Sequence, residues 1–326
     1  MRVFVAGASG ALGSRLVPQL IDAGHDVIGT HKSPASAELL RALGARPVRV
    51  DLLDARAVRN AVLENEPEAI VHEVTALANA KWGRNFDKVF ETTNQLRTKG
   101  TDALLAAARE AGVRRFVAQS FASYRTAREG GAVKTEDDPL DPNPPANAQR
   151  SFAAMARLDQ TVTEAGGIVL RYGVFYGAAN DGLVDPVLKR QYPIIGDGGG
   201  MTSWIHLEDA AAATVLALEH DGPAIYNIVD DEPAPVRDWL PVLADALGAK
   251  PPRRFPTWLA RLVAGEAAVV MGTEARGASN AKAKRELGWT PRHPSWRRGF
   301  PATYSAIGVA DGQKRQPATQ AKHVPG

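Results

Sequence analysis

Short apolar runs closed by Gly, Pro or Asp alternate with longer segments of helical apolar spacing through roughly the first 230 residues. The runs predict strands at Arg2–Ala6, Asp26–Thr30, Pro47–Val50, Ala69–His72, Arg115–Gln119, Ile168–Tyr172 and Ile225–Val229. The periodic segments between them predict helices over residues 11–23, 34–43, 55–65, 95–111, 148–165 and 208–220. Alternation of this kind means an α/β architecture, a doubly wound parallel sheet of about seven strands covered by helices on both faces. Pro18 falls inside the first helix, where a slight kink is expected rather than a break.

The alternation fails in two places. Residues 129–147 are rich in Gly, Pro, Asp and Asn and read as a long surface loop. After Val174 the pattern turns irregular, with a glycine cluster at Gly196–Gly200 and short helices near 235–247 and 256–270. Insertions after the later strands are where a substrate lid would be built. The expected organisation is therefore a nucleotide-binding domain over 1–173 plus about 205–230, and a small substrate domain over about 174–204 and 231–308. Residues 309–326 carry no apolar pattern and are expected to be disordered. No internal repeat is visible.

Composition narrows the chemistry. The chain has no cysteine, which excludes disulfides, thiolate nucleophiles and thiolate-bound metal. That fits a reducing cytoplasm, the expected location. No apolar run approaches the ~20 residues needed to cross a bilayer, so no membrane partner is expected. Between Lys250 and Arg298 there are 11 Lys/Arg against 3 Glu, but without the aromatic-and-basic interleaving of the kind that stacks bases. A solvated surface, not a nucleic-acid site, is the expectation.

"VFVAGASGALGSRLV" carries the strongest chemical signal. Gly7, Gly10 and Gly13 stand three apart where a strand ends and a helix opens. Glycines there permit a tight turn and close approach of a pyrophosphate, and the helix N-terminus supplies free N–H groups. Gly7, Ser9, Gly10, Ala11, Leu12 and Gly13 are thus the candidate phosphate loop. The second strand ends in "GTHKS", where an NAD site would carry an acid. Thr30, His31, Lys32 and Ser33 suit a 2′-phosphate instead, which favours NADP over NAD. Asp51, with Leu52 after the third strand, is placed to face the adenine or to cap the next helix.

With these segments in order the chain resembles the extended short-chain dehydrogenases/reductases, the NAD-dependent epimerase/dehydratase family. The resemblance covers about residues 1–300 and rests on "GASGALG", "VDLLD", "IVHEVTALA", "IVLRYGVFYG" and "SWIHLEDAAAA". It also rests on "TNQLRTKGTDALLAAAREAGVRRFVAQS", similar to the family's "vNv.GT.nlleaa" and the strand that follows. It implies a Rossmann-type fold, with Val74, Thr75 and Ala76 beside the nicotinamide half of the cofactor. It matches Asn94 to a residue that orders the active site and Ser120 to the serine that binds the substrate oxygen, with Tyr124 four residues on. A homodimer formed through helices 95–111 and 148–165 is implied as well.

One segment departs from the family. Its helix carries Tyr-x-x-x-Lys, followed four residues on by an acid. "QRSFAAMARLDQ" places Ser151 and Met155 at those two positions. Serine is far too weak an acid to replace a tyrosine whose pKa an ammonium lowers, and methionine offers no charge. Met155, with Phe152 and Leu158, reads as apolar helix surface. Either the donor has moved, with Tyr124, Tyr172, Tyr176, Lys81 and His206 as candidates, or the substrate needs little acid help, or hydride transfer has been lost.

The seven histidines show no metal-ligand spacing, and no Gly-x-Ser-x-Gly elbow is present. Lys81 and Trp82, in a loop after the fourth strand, are candidate substrate contacts, as are Tyr176, Met201, Trp204 and His206 around an aromatic pocket. The expected function is NADP-dependent oxidation or reduction of a small organic carbonyl, enone or iminium, with Ser120, Tyr124 and Tyr172 as catalytic candidates. A non-redox epimerase, isomerase or lyase is the first alternative, and an NADP-sensing module the second.

Overall fold

The computed structural model describes residues 1–77, 84–178 and 182–314, with side chains to Ser305. Seven strands form one parallel sheet: β1 (Arg2–Ala6), β2 (Asp26–His31), β3 (Arg46–Arg49), β4 (Ala69–His72), β5 (Arg115–Phe121), β6 (Ile168–Tyr172) and β7 (Ala224–Ile228). Their spatial order is β7-β6-β5-β4-β1-β2-β3. The sheet thus turns outward in both directions from β1 and β4, and this leaves a crevice above their C-terminal ends.

Alternation along the strands divides the core between the two faces. Val3 and Val5 join Val71, Val117 and Leu170 under helices α1 (Gly13–Asp22) and α6 (Leu207–Ala217). Phe4 and Ala6 join Ile70, Ala118 and Val169 under α3 (Ala55–Asn65), α4 (Thr101–Ala111) and α5 (Gln149–Glu164). Local chemistry sets the helix starts. Asp54 accepts from the N–H groups of Arg56 and Ala57, each at 3.0 Å. Ser33 caps α2 (Pro34–Ala42), with Pro34 in the first turn.

Four expectations change. The helix predicted over 95–111 is compound: Glu91–Gln95, then a π-helical turn over Leu96–Gly100, then α4. The helix predicted over 256–270 breaks at Gly265, whose φ is +85°. The last helix runs Trp296–Lys314, into the segment expected to be disordered. The loop 129–147 also contains a short strand, Val133–Lys134, which pairs with Gly277–Ala278. Pro18 sits inside α1, which continues unbroken.

Beyond β6, strands Val174–Tyr176 and Trp204–His206 pair in parallel beside a third apolar cluster. Tyr176, Trp204, Trp239, Trp296, Phe300 and Tyr304 fill it, with Tyr176, Trp204 and Phe300 meeting edge-on. Among the described residues no helix is long and apolar enough to cross a membrane.

Candidate functional site

The chain leaves β1 through Gly7, whose φ is +93°. A side chain there would meet the Glu73 carbonyl carbon at 2.8 Å, and one on Gly13 would overlap Gly7 O and Ala8. The loop is therefore packed to the backbone, as a cradle for a dinucleotide pyrophosphate requires. Thr30, expected to touch the cofactor, is buried and accepts from Gly7 N–H at 3.1 Å. Its hydroxyl shapes the glycine loop from below. Ser9, Gly10 and Ala11 stay at the surface of the turn, while Leu12 packs inward.

At the far end of the crevice Lys32 Nζ lies 2.9 Å from Asp51 Oδ1. Their hydrogen bond holds the Asp51 carboxyl below the ordinary carboxylate range. His31 Nδ1 meets Ser33 O at 3.0 Å, and the Ser33 hydroxyl is spent on capping α2. Leu52 is buried core on the α3/α4 side, so its side chain does not face the crevice. Val74 and Thr75 are half-buried beyond β4, and Ala76 N–H donates to Thr93 Oγ1 at 3.1 Å.

The α5 face that should carry the tyrosine and lysine is closed. Ser151 is fully buried; its hydroxyl donates to Asp87 Oδ1 at 2.7 Å and accepts from Asn94 Nδ2 at 3.0 Å. Met155 is buried one turn on. Asp159, a further turn along, pairs through Oδ2 with Arg125 and Arg171, each at 2.8 Å. Arg125 in turn donates to Ser120 Oγ at 3.0 Å. The structure thus ties Ser120, at the C-terminal end of β5, to a buried arginine–aspartate network.

The remaining candidates separate. Tyr124 has a left-handed φ of +67° and is half-buried; its hydroxyl is 3.4 Å from Thr202 Oγ1, and burial raises its pKa. Tyr172 corrects the expectation of a catalytic phenol. It is fully buried beneath the sheet, 2.6 Å from Thr214 Oγ1, and donates to Glu73 Oε1 at 3.1 Å. Burial and the Glu73 carboxyl push its pKa well above the ordinary phenol value, so it is no neutral-pH acid. Tyr176 and Trp204 are core side chains of the aromatic cluster, not pocket wall, and burial raises the Tyr176 pKa. Met201 is half-buried, on a short strand paired with Pro235. Lys81 and Trp82 lie outside the described residues.

His206, Asp209 and His293, far apart in sequence, come together with ligand atoms within 4.8 Å, a grouping that histidine spacing did not reveal. His206 Nδ1, His293 Nδ1 and both Asp209 carboxylate oxygens have protein partners. His206 Nδ1 accepts from Glu208 N–H, and Asp209 accepts from the backbone N–H groups of Arg292 and His293. The two rings stack at 3.7 Å. Burial, then His293, lowers the His206 pKa to about 4. The cluster clamps the 292–293 segment onto α6.

Comparison with known proteins fits this geometry. The profile of the NAD dependent epimerase/dehydratase family matches residues 3–229. The chain belongs to that family. It is similar to a Streptomyces protein named 3-diazoavenalumate denitrifying reductase, 42% identical over 309 residues, 92% of this chain and 99% of that one. A ketoreductase of a farnesylated dihydroquinoline oxide from Stigmatella aurantiaca is 28% identical over 77% of this chain and 74% of its own. The fold of UDP-glucose 4-epimerase from Thermotoga maritima superposes with a TM-score of 0.75 at 20% identity, over 96% of this chain and 100% of that one. This family member is an enzyme of oxidoreductase type, and its glycine cradle fits the family's nicotinamide nucleotide.

Within the family pattern "vNv.GT" the asparagine stands three residues before the Gly-Thr pair. Counting back from Gly100 and Thr101 reaches Arg97, not Asn94. Arg97 lies in the π-helical turn, the kind of local irregularity often found at functional sites. Its side chain is buried, and its Nε and Nη1 have no partner among the described residues. Counting from the Gly-Thr pair was the signal that could have found it. Asn94, one turn earlier, serves Ser151 instead.

Proposed function

We propose that this chain is an NADP-dependent reductase that delivers hydride to the ring carbon of an aryl diazonium group, with release of dinitrogen. The observation that carries the reading is the closure of α5: Ser151 is bound to Asp87 and Met155 is apolar, so no acid stands where the family's tyrosine does. Reduction of a carbonyl makes an oxyanion that must be protonated. Reduction of a diazonium does not. The hydride forms the new C–H bond with its own electron pair, the C–N pair leaves with nitrogen, and arene plus N2 result with no proton consumed.

The Streptomyces relative supports this, since its name describes a reduction that removes nitrogen from a diazo compound. When bound, the reduced nicotinamide supplies the hydride. The chain's part is to hold it through the glycine loop and to present the arene near Ser120 and Tyr124. At neutral pH the Tyr124 phenol, its pKa raised by burial, is a neutral hydrogen-bond donor, suited to orienting a substrate. NADP is preferred over NAD because the strand end carries Lys32 and His31 where an NAD site would carry an acid; a 2′-phosphate would compete with Asp51 for Lys32. The test is isotopic. With NADPH carrying deuterium at the transferred position and an arenediazonium substrate, deuterium should appear at the carbon that bore nitrogen. A product without deuterium there rejects the reading.

A further inference from the structure

Beneath the crevice three arginines gather around one carboxylate. Arg125 and Arg171 share Asp159 Oδ2, and both lie within the protein. Glu136 lies near Arg171 but faces Lys282 as well, and its carboxylate accepts from Asn227 N–H. Among the described residues, Arg97, 6% exposed, has Nε and Nη1 buried without a hydrogen-bond partner, with its guanidinium 5.9 Å from the Phe90 ring centroid; Arg125 Nε and Asp159 Oδ1 are likewise unmatched. Burial, then Arg125, lowers the Arg97 pKa to about 10 against the opposing pull of Asp159, whose one charge is already shared by Arg125 and Arg171; Arg97 stays cationic at neutral pH. His72, the near neighbour on β4, has its pKa brought down to about 4 by burial and adds no charge.

Buried guanidinium N–H groups without acceptors are costly, and an uncompensated buried charge is costlier. A neutral hydroxyl would answer only the first need. An anionic oxygen answers both, and a guanidinium binds a carboxylate through paired hydrogen bonds. Met155 leaves this face of α5 without a cation, and Arg97, on the turn that packs against α5, brings one from the opposite helix. We infer that Arg97, with Arg125 beside it, forms a receptor for an anionic oxygen group on the substrate, a carboxylate.

The inference rests on the proposed reaction and narrows its substrate. A diazonium is itself a cation and would be repelled from a site with excess positive charge. Such a substrate must also carry an anion, held at the arginines with the diazonium directed away from them. The substrate class is then a zwitterionic aryl diazonium carboxylate.

Binding to the NADPH-loaded protein tests this without turnover. Benzoate, benzamide and inorganic phosphate serve as probes, read by calorimetry, and NADPH affinity is measured alongside. Benzoate should bind at least tenfold more tightly than benzamide. Arg97→Met should erase that preference while NADPH affinity stays within threefold, which also shows that the variant is folded. Arg97→Lys should retain part of the preference, since it keeps the charge and loses the paired geometry. Four results overturn the assignment: no benzoate binding to the wild type, equal binding of benzamide, phosphate binding more tightly than benzoate, or Arg97→Met weakening NADPH instead of benzoate. The last would put the guanidinium on the cofactor. None depends on diazonium reduction, so failure of the proposed reaction is seen separately, as absent deuterium transfer.

Discussion

Ser151 and Asp87 are joined twice: the Ser151 hydroxyl donates to Asp87 Oδ1 at 2.7 Å and its backbone N–H to the same oxygen at 2.8 Å. Asp87 Oδ2 accepts from Arg150 N–H at 3.0 Å, so a carboxylate from the helix Phe86–Val89 caps the first turn of α5. The position that would hold a proton donor holds a structural clasp. Ser151→Ala should therefore cost stability, ~1–2 kcal/mol by urea unfolding, and change kcat less than about threefold. Asp87→Ala should cost more, because three donors lose their acceptor. A collapse of turnover in Ser151→Ala at unchanged stability would make the serine a participant in the chemistry.

Asp159 Oδ2 is shared by Arg125 and Arg171, each at 2.8 Å. Asp159→Asn leaves both guanidinium groups buried with reduced compensation, and a loss of ~3–5 kcal/mol in unfolding free energy is expected. A neutral effect would mean that water reaches the network.

Burial raises the Glu73 pKa from 4.5 to about 8. The folded protein binds that proton where the unfolded chain releases it, so this contribution to stability is full below pH 4.5 and is lost as pH rises through 8. Glu73→Gln should raise stability at alkaline pH by on the order of a few kcal/mol, and flatten the decline that the wild type shows between pH 4.5 and about 8. The Glu73 backbone abuts Gly7, so ionisation of this residue should lower NADPH affinity in the wild type as pH rises through about 8. An unchanged pH profile in the variant would show that Glu73 is ionised throughout.

Lys32→Glu should weaken NADPH binding by roughly tenfold or more and leave NADH nearly unaffected. The change also sets a second carboxylate beside Asp51, where the present ion pair is 2.9 Å long. Equal losses for both nucleotides would assign Lys32 to the shared part of the cofactor, and a wild-type preference for NADH would reject the NADP assignment outright.

The sheet was legible because each of its strands is a short apolar run ended by a breaker, and the predicted limits fall within two residues of those observed. The glycine loop was legible because its chemistry is local to seven residues, Gly7–Gly13. What the sequence concealed lies in pairs brought together by the sheet. Ser151 and Asp87 are 64 positions apart. Arg171 reaches Asp159 only because β6 returns beside β5, in the register that sets Ser120 opposite Arg171. Tyr172 looked open to a cleft because strand ends often are, yet its side chain takes the inward turn of the pleat. Trp204 and Tyr176 looked like pocket wall because aromatic residues serve both uses, and here packing against Phe300 claims them.

The central claim is that reduction proceeds without a proton donor because nitrogen leaves as a neutral gas. Single-turnover mixing of NADPH-loaded protein with an aryl diazonium carboxylate, following NADPH absorbance and dinitrogen together, tests it most directly. The account predicts one N2 released per NADPH oxidised, with no proton taken up from buffer and a rate flat in pH across neutrality. NADPH that stays reduced while the diazonium is consumed, or oxidation without N2, would contradict it.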